Sequence, residues 1–214
     1  MNAFDKLRRS SESVGNDFDI EMFPAVTPDN VADHMRKNRV RWNYPTSGSV
    51  YDESTKMTKT AYAGANHPAR ISCAMSHYEV WKYTSEQDES TLILEHDAVF
   101  VSKLDIQKNL PVIGINNPLG ATRKARLFHN KVQSSKSDYP HTPWIDDRKI
   151  PQGLAGHSAY IIQPSAAQKM LELVDKYGLW PNDAIMCRQL FDDLYVSKKY
   201  YTEIQRGIQS TTKI

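Results

Sequence analysis

The sequence predicts an α/β fold with a mixed, mainly parallel sheet flanked by helices, and three observations carry that expectation. Short apolar runs of strand length alternate with segments whose apolar residues recur every three or four positions. The chain has 214 residues, 40% hydrophobic and 24% charged, ordinary globular usage that rules out wholesale disorder. That length suits one domain, residues 1–214, able to bury a core without disulfides or a structural metal.

Residues 4–14 read as a short helix, with Phe4, Leu7 and Val14 among charged and serine positions. Phe18, Ile20 and Met22 alternate with Asp19 and Glu21, the period of a half-buried strand. Residues 45–66, rich in Ser, Thr, Gly, Lys and Tyr, read as a long surface loop. Asn66-His67-Pro68 suits a helix start. Ile71, Ala74, Met75, Tyr78 and Trp81 mark that helix's buried face, and it fades near Glu86 to Asp88. Thr91-Leu92-Ile93-Leu94 is a continuous apolar run that fits a buried central strand. Apolar residues resume at Ala98 to Val101, and Pro111 to Ile115 reads as another strand. Residues 116–152, polar and proline-punctuated, read as a second long surface loop, functional or mobile. Ala159 to Ile162 is a further strand. Pro164 opens a helix carrying Ala167, Met170, Leu171 and Val174, and Gly178 stops it. A short helix is expected from Ala184 to Phe191, with late strands at Leu194 to Val196 and Tyr200-Tyr201.

With 27 basic against 25 acidic residues, the net charge of +2 gives no electrostatic case for nucleic-acid binding. The longest apolar runs, about five residues, fall far short of the roughly 20 that span a bilayer. Met1 to Lys6 lacks the apolar stretch of a secretory signal. Cys73 and Cys187 are too few for a disulfide scaffold or a four-thiolate zinc site. A cytoplasmic location is therefore expected.

The most informative segment is Leu92-Ile93-Leu94-Glu95-His96-Asp97. Side chains alternate along a strand, so Glu95 and Asp97 share one side and His96 takes the other. Two carboxylates at the carboxyl end of a central strand sit where open α/β sheets bind ligands. As hard oxygen donors they suit Mg²⁺ or Mn²⁺ alongside phosphate oxygens. The plain alternative is a strand ending in a solvated acidic turn. An aspartyl-phosphate phosphatase is set aside, because its nucleophilic aspartate would stand where this chain has Glu95.

With its neighbours, this segment resembles glycosyltransferase family 25, which includes lipooligosaccharide and procollagen galactosyltransferases. Phe23-Pro24-Ala25-Val26 looks like the family's early strand end. Cys73-Ala74-Met75-Ser76-His77, followed by Trp81, resembles its cysteine-to-histidine helix. Leu92 to Val99 resembles its apolar strand and acidic motif, commonly Leu-Glu-Asp-Asp. Gly156-His157-Ser158-Ala159-Tyr160-Ile161-Ile162 and Pro181-Asn182-Asp183 look like its later strand and Pro-x-Asp. His96 stands where the family usually has aspartate. The family also opens with a strand ending in Ile-Asn-Leu, before an arginine-bearing segment. This chain opens at about that segment, with Lys6, Arg8 and Arg9, so the first strand is expected either upstream or lost with altered donor binding.

The resemblance implies a GT-A-like fold, a Mn²⁺ or Mg²⁺ cofactor and transfer with inversion. It implies a hexose from UDP-galactose or UDP-glucose, and an acceptor hydroxyl on a glycan, a lipid-linked glycan or a protein. Lipopolysaccharide biosynthesis is the expected setting. Glu95 and Asp97 are then the metal ligands, with His157 a candidate third, and Asp183 the candidate base. Asp183 has a rival role, stabilising a helix start. Arg8, His77, Arg123, Trp144 and Tyr160 are candidate substrate contacts. Each has a plainer reading: a buried hydrogen-bonded histidine for His77, core for Tyr160, solvated loop for Arg123, Lys124 and Arg126, a loop anchor for Trp144. Cys73 reads as a small buried apolar residue. The alternative for the whole chain is a catalytically silent relative that binds a sugar or a partner.

Overall fold

A computed structural model of the protein describes residues 2–62, 66–106, 109–120 and 124–205. Helix α1 (Ala3–Ser13) follows an Asn2 cap, and α2 (Val31–Asn38) follows an extended segment. A hairpin of β1 (Ser49–Asp52) and β2 (Met57–Thr60) leads to α3 (His67–Ser85). The Asn66 side chain accepts the Ala69 amide, and Pro68 fills the first turn, as the sequence signals. Then come β3 (Thr91–Leu94), β4 (Ala98–Phe100), β5 (Val112–Gly114) and α4 (Ala125–Gln133). The chain continues through β6 (Ala159–Ile162), α5 (Pro164–Tyr177), α6 (Asn182–Ile185), β7 (Leu194–Val196) and β8 (Thr202–Ile204).

The main sheet has four strands in the order β3-β6-β5-β7. Its β3–β6 and β6–β5 pairs are antiparallel, and only β5–β7 is parallel. This corrects two expectations. The sheet is mixed but mainly antiparallel, and Thr91–Leu94 is an edge strand rather than a central one. The run is continuously apolar because both its faces are covered. Ile93 joins the large core with Trp81, Tyr160 and Met170, whereas Leu92 and Leu94 pack on the opposite side near Ile113, Ala159 and Tyr201. Continuous apolarity reports two covered faces and is silent on edge or direction.

Helices α3 and α5 pack together over the first face. On the second side, α1 lies on β4, which pairs antiparallel with β8. Gln205, just past β8, ties this layer to the turn after β3. Its amide N–H donates to Asp97 O at 2.7 Å, and its side chain reaches the carbonyls of Ala3, His96 and Ala98 at 2.9, 3.1 and 3.2 Å.

Four further expectations are corrected. Residues 18–22 are extended but form no strand, with Met22 68% exposed. Phe18 rests edge-on against Phe100 and Phe23 tilts against Tyr83, and no described backbone runs alongside to pair with them. The expected loop 45–66 contains the β1–β2 hairpin, which buries Met57 and Lys59. The expected loop 116–152 contains α4, which buries Ala125, Phe128 and Val132. Its remainder is held against the β7 region by the Thr142 amide to Leu194 O and the Val196 amide to Pro140 O, both 2.9 Å. The expected helix 184–191 is the short α6, because the chain beyond it leaves to bridge Gly153 from Cys187. Among the described residues no helix is long and apolar enough to cross a membrane.

Candidate active site

The turn Glu95-His96-Asp97 lies just past the carboxyl end of β3, with His96 exposed and both carboxylates half-buried. The Ala98 amide closes the turn on Glu95 O at 3.0 Å, and the Glu95 amide reaches Ser158 O across the sheet at 2.7 Å. Glu95 and Asp97 are near enough that burial, then the Glu95 charge, raise the Asp97 carboxyl above its ordinary value. Asp97 Oδ1 is buried and has no hydrogen-bond partner among the described residues.

Asp183 comes to the same place from α6. Its pKa is raised, chiefly by burial and further by the Glu95 charge, while Tyr62 and Arg70 act against the rise. The Tyr62 hydroxyl donates to Asp183 Oδ1 at 3.0 Å, and the Arg70 guanidinium lies over the Tyr62 ring at 4.0 Å. Gly153 permits this approach. A Cβ there would lie 2.5 Å from the carbonyl oxygens of both Asp183 and Met186.

Beneath Glu95 sits a connected set of side chains from α3 and β6. Trp81 Nε1–H donates to the Tyr160 hydroxyl at 2.9 Å, Tyr160 meets His77 Nδ1 at 2.8 Å, and His77 Nε2 meets Glu95 Oε1 at 3.2 Å. Beside it, Asn182 Nδ2 donates to His157 Nδ1 at 3.0 Å, and His157 Nε2 faces Met186 Sδ at 3.2 Å. Cys73 completes the floor, its thiol 3.8 Å from Asn182 Oδ1. Burial, with Glu95 and Asp183 adding to it, pushes that thiol's pKa up.

The fold thus gathers Glu95, Asp97 and Asp183 with His77, His157 and Tyr160. Three of these placements correct the expected contacts. His157 is buried, with Asn182 on Nδ1 and Met186 on Nε2, so both nitrogens are already engaged by protein and neither is turned to a metal; burial beside His77 also drives its pKa well down. Tyr160 is fully buried and its hydroxyl is taken by Trp81 and His77, so it meets no substrate. His77 is 6% exposed, and its two ring nitrogens are taken by Tyr160 and Glu95. Arg8 is exposed on α1 without an ion-pair partner among the described residues. Trp144 stands apart from the carboxylates, its ring engaged by Arg188 at 4.7 Å and Arg148 at 5.2 Å. Arg123 lies outside the described residues. Sequence reading missed Arg70, Tyr62 and Gln205. Arg70 falls one turn before Cys73 on a helix already recognised, which was the available signal.

A family model described as glycosyltransferase family 25 (LPS biosynthesis protein) matches residues 6–186. No curated protein matches the chain. The matched span runs from within α1 through α6 and contains all three gathered carboxylates.

Proposed function

Because the chain belongs to glycosyltransferase family 25 and is a glycosyltransferase, we propose that it transfers a hexose, galactose or glucose, from a UDP-sugar to an acceptor hydroxyl, with inversion and with a divalent cation. The single domain would be of GT-A type, its β3 end forming the donor side. The observation that carries this reading is the meeting of Glu95, Asp97 and Asp183 at one end of the sheet, with a buried Asp97 oxygen left without a partner.

The residues fit a cation. Glu95 and Asp97 are hard oxygen donors held on one turn, their charges oppose each other, and a positive ion would relieve both the repulsion and the unpaired Oδ1. Bound there, Mn²⁺ or Mg²⁺ would supply charge neutralisation for the departing diphosphate. Asp183 would take the proton from the acceptor hydroxyl. Burial raises its pKa toward the working range of a general base, and the Tyr62 hydrogen bond fixes its direction. Arg70 would add positive charge close to Asp183.

Calorimetry with UDP, with and without Mn²⁺, tests the reading. Binding that requires Mn²⁺ is the expected result. No binding of UDP or of its sugars under either condition would overturn it and favour a relative that has lost donor binding.

A further inference from the structure

Three side chains with metal-binding chemistry, Cys73, His77 and Glu95, bring one ligand atom each within 4.8 Å of one another. Taken alone, that grouping resembles a soft-metal site. The hydrogen bonds around it point elsewhere. An indole N–H can only donate, so Trp81 gives its proton to the Tyr160 oxygen. Tyr160 is fully buried, and among the described residues its own proton has one acceptor in reach, His77 Nδ1 at 2.8 Å. If Nδ1 carried the proton instead, the phenol proton would be stranded in the core, and a neutral imidazole would turn its Nε2 lone pair on the Glu95 carboxylate. The arrangement that satisfies every group runs in one direction, Trp81 to Tyr160 to His77 to Glu95.

We propose that His77 is a positioning residue fixed by Tyr160 as its Nε2–H tautomer, which holds one Glu95 oxygen and leaves the other for the cation. This rests on the reading of Glu95 as a cation ligand. An imidazole whose Nε2 already bears a proton committed to Glu95 is not itself a ligand. The Cys73 thiol is engaged instead with Asn182 Oδ1, 3.8 Å away.

The tautomer can be read in the metal-free protein by long-range ¹H–¹⁵N correlation of labelled histidine. The expected result is Nε2–H at His77 in the parent, lost as a single form in Tyr160→Phe. Nδ1–H or an imidazolium in the parent would overturn the proposal. Titration with Co²⁺ gives a second test, because a thiolate-to-cobalt charge-transfer band would place Cys73 on the metal and overturn it. Mn²⁺ affinity measured by electron paramagnetic resonance should fall about 10- to 100-fold in Tyr160→Phe. His77→Gln, whose amide can still donate to Glu95, should retain more affinity than His77→Ala. Equal affinity in all of these variants would overturn the positioning role. A parent that binds no Mn²⁺ removes the cation from the proposed function, while the tautomer still decides the relay.

Discussion

At Asp97 burial and a neighbouring negative charge act together, and both disfavour the ionised carboxylate. Removing the charge should therefore cost the fold little. Asp97→Asn is expected to melt at or above the parent temperature while losing Mn²⁺-dependent UDP binding in calorimetry. A variant that binds UDP and Mn²⁺ like the parent removes Asp97 from the site. Asp183 is held differently, by the Tyr62 hydroxyl and near Arg70. If it is the base, Asp183→Asn should keep donor affinity and melting temperature while turnover falls roughly 10²–10⁴-fold. Undiminished turnover with a lower melting temperature would instead leave it as a residue that stabilises the start of α6. These acidic residues were legible in the sequence because a short carboxylate motif after an apolar strand is a local pattern. The hydrogen-bond commitments of His157 and Tyr160 were not, since their partners Asn182, Met186, Trp81 and His77 lie 25 to 83 positions away.

Among the elements, the β1–β2 hairpin shows what polar composition conceals. Lys59 occupies an inward position that patterning reserves for an apolar residue, and it is 4% exposed. Its ammonium meets Asp52 and the Asn43 carbonyl, both at 2.8 Å, and lies 4.6 Å from the centre of the Trp180 ring. Burial alone would raise the Asp52 carboxyl, but the hydrogen bond and charge of Lys59, helped by Ser54, lower it from 3.8 to about 2. The stability this contributes is present above pH 3.8 and is lost as the pH falls toward about 2. Asp52→Asn should therefore melt lower than the parent at neutral pH, with the gap closing over that acid range. A gap independent of pH would mean the pair contributes nothing through charge. In the same way α6 is short for a reason outside its own sequence, the approach of Gly153 to the Asp183 and Met186 carbonyls. Gly153→Ala must push that backbone away, and a loss of about 1–3 kcal/mol in denaturant unfolding is expected. Turnover should fall with it, because Asp183 rides on the displaced segment.

At the level of the whole molecule, the order α3, β3, β4, β5, β6, α5 was readable because each obeys its own local period, whereas α4, hidden in a polar stretch, was not readable. Strand direction and edge position were not, because they depend on which backbones meet, and an apolar run says only that its two faces are covered. The same limit hid Gln205, a lone polar residue whose side-chain NH₂ shares its two protons among three carbonyls brought together by the fold. Gln205→Ala should leave those carbonyls without their donor, with a loss of about 1–3 kcal/mol. Weaker Mn²⁺-dependent UDP binding should accompany it, because the acidic turn is one of the groups released. Unchanged donor binding in a destabilised variant would show that the clamp serves the fold alone.

That clamp also joins Ala3 to the turn carrying Glu95 and Asp97, so the start of α1 and the residue after β8 both bear on the acidic turn. The opposite pole lies at the Asp88-Glu89-Ser90 turn, where α3 hands over to β3 and all three residues are exposed. With about 1.5 Å of rise per residue, α3 sets that turn well away from Arg70 and Cys73. A biotin, fluorophore or surface tether introduced at Asp88 to Ser90 should leave UDP binding undisturbed, whereas a bulky group introduced at Ala3 or Gln205 should weaken it, because both residues bear on the acidic turn.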